Sequence, residues 1–260
     1  MTNSINQSFL KITKETPEPI NQSGFSKLPV CIVNLIFSNI TYKETAKFAH
    51  LLSKAFQNLP PNNEILDLSN TFIEDDYLIK TIHACQGRKI VSLILSGCIC
   101  ITDASMEKIA SLKHLKTLNL SGCENITDVA LTHIATLPQL RTLNLSYCDQ
   151  FTGEEIGILT PLKQLRTLTL TDCHQIDDDA LEHISTFQQL RTLDLYNCNH
   201  FSEIGIKHLN TLQKLRTLTL SSKNAFAETA LEYLPALPQL KIQIKEFGED
   251  SRRCCTFSVD

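Results

Sequence analysis

An apolar pair of the form Leu-x-Leu recurs at Leu93/Leu95, Leu118/Leu120, Leu143/Leu145, Leu168/Leu170, Leu193/Leu195 and Leu218/Leu220, each 25 residues after the last. An earlier pair, Leu66/Leu68, lies 27 residues before the first, and Ile242/Ile244 lies 24 residues after the last. A period held over seven steps fixes the architecture. Each copy is one structural unit, and units of this size cannot bury an apolar face except against their neighbours.

Within a copy the hydrophobic period switches. Thr142-Leu143-Asn144-Leu145-Ser146 alternates polar and apolar, which predicts a half-buried strand. Ala130, Leu131, Ile134, Leu137 and Leu140 then follow at helical spacing. Between strand and helix stands a column of helix-start residues: Thr102, Thr127, Thr152, Asp177 and Ser202. Their side-chain oxygens can accept the free N–H groups of a first helical turn. Thr152 with Glu155 forms a capping-box pattern. Ala227, the sixth member, cannot cap. Parallel strands stack about 4.8 Å apart, whereas packed helices need roughly 8–10 Å. That mismatch predicts an α/β fold: a curved solenoid, a horseshoe with parallel strands inside and helices outside.

The string L-x-L-x-x-C-x-x-I-T-D, read from Leu118 to Asp128, resembles the leucine-rich repeat family, in particular its cysteine-containing subtype. The resemblance covers Ile65 to Ile244. Lys223 stands at the cysteine position of the last full copy and Ala227 at its cap, so the solenoid is expected to end near Ile244.

Cys98, Cys123, Cys148, Cys173 and Cys198 form one column. A straight column cannot converge on one metal ion at about 2.3 Å. Parallel Cβ vectors suit a disulfide poorly, and catalysis has no use for five equivalent nucleophiles. The expectation is a packing role, each thiol turning inward at a strand end and serving loop carbonyls there. His133, His183 and His208 share a helix column and are expected to face solvent. Neither a metal nor a cofactor is expected. The net charge of −4 gives no reason to expect nucleic acid. No run of about 18 apolar residues predicts a membrane span, and the first 24 residues hold no stretch apolar enough for a secretory signal. The expected setting is a reducing one, cytoplasmic or nuclear, with the chain a monomer in isolation.

Ahead of the repeats, residues 1–24 are polar and read as a disordered arm. Residues 25–60 read as a small helical domain, 61–244 as the repeats and 245–260 as a C-terminal tail. In the helical segment, Ile32, Leu35, Ile36 and Ile40 fall at helical spacing. A second stripe holds Phe48, Leu52, Ala55, Phe56 and Leu59, and Pro60-Pro61 stops it. As pattern alone, this could be a cap for the first repeat. Leu28-Pro29, Ile32, Ile36-Phe37-Ser38, Ile40, Glu44 and Ala49 resemble the F-box, although Cys31 replaces its usual acidic residue and Ala55 its tryptophan. That resemblance implies docking onto a Skp-type adaptor of a cullin–RING ubiquitin ligase through Leu28, Pro29, Ile32, Ile36, Phe37 and Ile40. The repeats would then bind a protein substrate, and the ligase chemistry would reside in other subunits.

The substrate surface is expected on the concave strand face. Asn119, Asn144, Thr169, Asp194 and Tyr196 point outward there, with Asp194 and Tyr196 breaking a run of small polar residues. Arg166 and Arg191 belong to a basic column at the strand starts, expected either to pair with loop carboxylates or to meet an acidic partner. Rival readings are an interaction scaffold without a ubiquitin role and an enzyme. Only 16 residues follow Ile244, which argues against an appended catalytic domain. The same features fit a cellular adaptor or a bacterial effector acting in host cytoplasm.

Overall fold

Each apolar pair opens inside a strand of three to five residues. The strands are β1 (Ile65–Asp67), β2 (Ser92–Ile94), β3 (Thr117–Asn119), β4 (Thr142–Asn144), β5 (Thr167–Thr169), β6 (Thr192–Asp194), β7 (Thr217–Ser221) and β8 (Lys241–Lys245). A computed structural model describes them, covering residues 65–84, 89–224, 227, 230–235, 237, 239–245 and 254–258. The expected arm and helical segment, with Leu28, Pro29, Ile32, Ile36, Phe37 and Ile40, lie outside the described residues.

The eight strands are parallel and lie in chain order in one sheet. Leucine stacks on leucine: Leu66 on Leu93, Leu93 on Leu118, and so to Ile242. A one-residue slip would turn every one of these buried side chains to solvent, so burial itself locks the register. Pairing runs on past the strand ends. The N–H groups of Leu120 and Gly122 donate to Asn144 and Ser146 carbonyls at 2.9 Å, and Tyr147 N–H donates to Thr171 at 2.9 Å.

The outer layer holds α1 (Asp75–Ala84), α2 (Met106–Ala110), α3 (Asp128–Ile134), α4 (Gly153–Gly157), α5 (Asp178–Ile184) and α6 (Glu203–His208). Ala130, Leu131 and Ile134 of α3 are buried, as the helical spacing requires. Strand and helix layers together form the expected curved solenoid. The histidine column departs from expectation. His133, His183 and His208 are half-buried, because helices this close leave no open gap. A Cβ added at Gly157 would sit 3.0–3.1 Å from the His183 ring.

The cap column works as predicted, with one addition. Thr102, Thr127, Asp177 and Ser202 accept N–H groups of their own helices. Thr152 forms the capping box with Glu155, whose carboxylate accepts the Thr152 N–H at 2.7 Å. In addition, a carboxylate from the preceding copy grips the cap residue. Asp75 accepts from Thr102 N–H and Oγ1–H, Asp103 from Thr127, and Asp178 from Ser202, all at 2.6–3.0 Å. Asp178 also accepts the Gly205 N–H at 3.0 Å. In the fourth copy this position is Gly153, where a Cβ would come within 2.4 Å of Asp177 Oδ1. There the carboxylate resides on the next cap itself.

The five column thiols are buried and free. Each donates backwards to a carbonyl of the preceding copy: Cys98 to Leu68 at 3.1 Å, Cys123 to Leu95 at 3.2 Å, Cys148 to Leu120 at 3.5 Å, Cys173 to Leu145 at 3.2 Å and Cys198 to Leu170 at 3.0 Å. At the ends other side chains also donate to turn carbonyls. Thr71 Oγ1 donates to Leu68 at 2.7 Å, and Asn224 Nδ2 donates to Cys198 at 3.2 Å. Lys223 occupies the cysteine position by count, but its amine cannot be buried there cheaply, and buried Asn224 next to it serves instead. Past Ala227 the described residues of the last copy include a 3-10 turn, Ala230–Tyr233, where earlier copies have an α-helix.

The 245–260 stretch, read as a tail, contains a ninth strand, β9 (Cys254–Ser258), antiparallel to β8 with Cys255 opposite Ile244. An antiparallel return needs only a short connection, whereas another parallel strand would need a crossover.

Two outcomes follow. Asp178→Ala should lower the unfolding free energy by about 1–2 kcal/mol, since three donors lose their acceptor; a urea midpoint shift at unchanged slope checks it. Burial pushes the Cys148 and Cys173 thiols up to about 12 from an ordinary 9.0. Their protonated forms are therefore favoured in the fold. Stability should be intact below about pH 9 and fall between about 9 and 12, by about 1.4 kcal/mol per pH unit for each such thiol. Denaturant titrations across that range measure it, and Cys148→Ala with Cys173→Ala should flatten the decline.

Candidate protein-binding face

Successive registers bring Asn119, Asn144, Thr169 and Asp194 into one row across β3 to β6, all half-buried. Part of this row is tied to its own backbone. Asn119 Oδ1 accepts the Ser121 N–H at 3.0 Å. Asn144 Oδ1 accepts the N–H and hydroxyl of Ser146 at 2.9 and 2.7 Å, and Asp194 Oδ1 accepts the Tyr196 N–H at 2.9 Å. These short-range bonds end the strand and set up the turn after it. The asparagines therefore act as strand stops as well as surface groups.

Asp194 and Tyr196 carry a second contact. Lys245 Nζ lies 3.4 Å from Asp194 Oδ2 and 5.6 Å from the centre of the Tyr196 ring. Lys245 sits on β8 opposite Ser221 of β7, so its side chain crosses β7 to reach β6. Thr219 and Ser221 beneath that path are 3% and 0% exposed, whereas their counterparts two copies earlier, Thr169 of β5 and Thr171 just past it, are half-buried. The patch singled out from sequence thus holds a cation from its own chain.

Beyond the strand end, the copies of β1 to β6 each turn through a left-handed residue. Asn70, Gly97, Gly122, Tyr147, Asp172 and Asn197 have φ between 56° and 72°. Glycine, asparagine and aspartate suit that region, and a tyrosine does not. Tyr147 is nevertheless there, 54% exposed. Loss of solvation, then the charge of Asp172 and a hydrogen bond to it, push the Tyr147 phenol up. Asn197, itself 6% exposed, donates from Nδ2 to Asp172 Oδ1 at 2.5 Å and fixes that carboxylate.

Arg166 and Arg191 are not part of this patch. They lie at the opposite edge, where each backbone N–H bonds the arginine before it at 2.7 Å. Three residues separate Arg191 from Asp194, or about 10 Å of extended chain. The expected carboxylate partners are missing: among the described residues the ion pair is Lys245–Asp194, and none engages Arg166 or Arg191. Tyr147, Asp172 and Lys245 were missed by sequence reading. A clue to Tyr147 was present, an aromatic residue in a column otherwise of glycine, asparagine and aspartate. Nothing local marks Lys245, which is 51 residues from Asp194.

A parallel solenoid with an open polar strand face defines a repeat protein of the protein-interaction type. Residues 90–258 match the family model described as "Leucine-rich repeat region". The chain belongs to the leucine-rich repeat family. Its fold is similar to a solved structure of the Rad7 and Elc1 complex in yeast, at 19% identity and a TM-score of 0.51, over 78% of this chain and 66% of that one. It is also similar to internalin C2 from Listeria monocytogenes, at 22% identity and a TM-score of 0.50, over 76% of this chain and 84% of that one. This chain therefore spans just under two thirds of the yeast chain. No curated protein matches it in sequence. Among the described residues no helix is long and apolar enough to cross a membrane.

Glycine at position 147 relieves the left-handed strain, as Gly97 and Gly122 do in earlier copies. Tyr147→Gly should leave stability unchanged or raise it by up to about 1 kcal/mol, against the usual loss on truncating an aromatic residue. Thermal melting checks this, and a clear fall would mean that ring packing outweighs backbone strain.

Proposed function

We propose that the chain is the substrate-recognition subunit of an SCF-type cullin–RING ubiquitin ligase. In this reading Leu28, Pro29, Ile32, Ile36, Phe37 and Ile40 dock onto a Skp-type adaptor, and the repeats hold a protein substrate. The observation that carries it is the order of the two segments: an F-box-like stretch stands directly ahead of leucine-rich repeats whose polar strand face is open. One neighbour of the same fold was solved as a complex of Rad7 with Elc1, so a solenoid of this kind is found with a partner protein.

The substrate face in this proposal comprises Asn119, Asn144, Thr169, Asp194 and Tyr196, with Arg166 and Arg191 offering a separate basic edge. The transfer chemistry belongs to other subunits, so the chain needs no catalytic residue of its own. As an effector in a host cell or as a cellular adaptor it would use the same two surfaces, in a eukaryotic cytoplasm or nucleus.

Pro29→Ala combined with Phe37→Ala should abolish co-purification of the adaptor and cullin from a eukaryotic lysate, because apolar anchors carry most of such an interface. Circular dichroism should show the repeats still folded. Adaptor capture equal to wild type would sink the F-box assignment. If neither wild type nor variant captures adaptor, the chain is an interaction scaffold without a ubiquitin role.

A further inference from the structure

Lys245 marks a kind of seat. Its amine lies between one carboxylate and one tyrosine ring, 3.4 Å from Asp194 and 5.6 Å from the Tyr196 centre. The same two side-chain types stand together again at Tyr147 and Asp172, the left-handed residues of successive turns, where the Tyr147 N–H donates to the Thr171 carbonyl at 2.9 Å. This second pair holds no cation among the described residues, and Tyr147 is largely exposed. Its carboxylate is held by buried Asn197.

The fold does not need a tyrosine here. Glycine, asparagine or aspartate fills the same left-handed position in the other copies. Tyr147 therefore carries a backbone cost that the glycine copies do not. An exposed ring beside a fixed carboxylate attracts a cation by both its quadrupole and its neighbour's charge.

We propose that Tyr147 and Asp172 form an open seat for a lysine or arginine side chain of a partner protein, so that this face takes a basic segment. The basic column through Arg166 and Arg191 repels such a segment from the strand-start edge, which orients it along the strand-end side. The proposal rests on the protein-binding half of the reading above and not on the adaptor half.

The test uses the full chain and needs no adaptor. Fluorescence anisotropy follows a fluorescein-labelled Gly-Ser-Lys repeat peptide and its Gly-Ser-Glu counterpart. The lysine peptide should bind and the glutamate peptide should not. Tyr147→Gly and Asp172→Asn should each weaken binding by about threefold or more, the size of one exposed cation–π contact or ion pair. Both variants use residues that the protein itself places at this position, so both should fold. Glu107→Gln, on the helical side, should change nothing and thereby separates the seat from general charge attraction. Lys245→Gln leaves the Asp194 carboxylate without its cation and should strengthen binding. The proposal is overturned if the lysine peptide does not bind, if Tyr147→Gly and Asp172→Asn bind like wild type, or if Glu107→Gln weakens binding as much as they do. Unchanged or weaker binding by Lys245→Gln would overturn the equivalence of the two seats.

Discussion

A strand of three residues makes too few hydrogen bonds to stand alone. In this chain most strands are that short, so each copy owes its shape to a fixed register with the copies before and after it. The register is secured at both ends of the unit. At the strand end, a buried thiol donates back to the preceding copy, as Cys173 does to Leu145. At the helix start, an aspartate of one copy accepts from the cap residue of the next, as Asp103 does from Thr127. Both links span 24 to 30 residues in sequence and only one step in space. They can recur only if the period is nearly constant, which is why 25 holds from Leu93 to Leu220.

This dependence explains what the thiols do and why they are inert. A cysteine is small enough to sit under the turn, is apolar enough to be buried at little cost, and still offers a weak donor to a carbonyl that the turn leaves short of partners. At the two ends of the stack a threonine and an asparagine also donate to turn carbonyls, Thr71 within its own copy and Asn224 to the copy before. Donation to a backbone carbonyl is therefore the common requirement, and sulfur chemistry is not. Burial raises the pKa of all five column thiols, so the thiolate that nucleophilic or redox chemistry requires is disfavoured.

What could be read from sequence follows the same division. Contacts repeated in every copy leave a periodic trace: the leucine rows, the cap column and the cysteine column were all visible as patterns. The aspartates that bridge to the next cap were not singled out, because their meaning depends on which copies touch. Asn224 takes the buried donor role one residue past Lys223, an offset that strict counting hides. Lys245 reaches two strands over to Asp194, and no local pattern encodes a contact made once. The outward row was legible as positions, but the local bonds that occupy Asn119 and Asn144 were not.

Those local bonds bear on where selectivity can reside. A row of small polar residues that ends strands in copy after copy looks much the same to any partner. Discrimination must come from aromatic and charged positions in these columns, and they gather at the strand-end side of β4 to β6: Tyr147, Asp172, Asp194 and Tyr196. Two of the four stand in or next to a cation contact made within the chain, and one sits in a backbone region that its side chain disfavours. A solenoid tolerates such exceptions because each copy touches only its neighbours. Strain at Tyr147 is confined to one turn, while the leucine and cysteine columns beneath it continue without a break. The scaffold's regularity is thus what allows the face above it to be irregular.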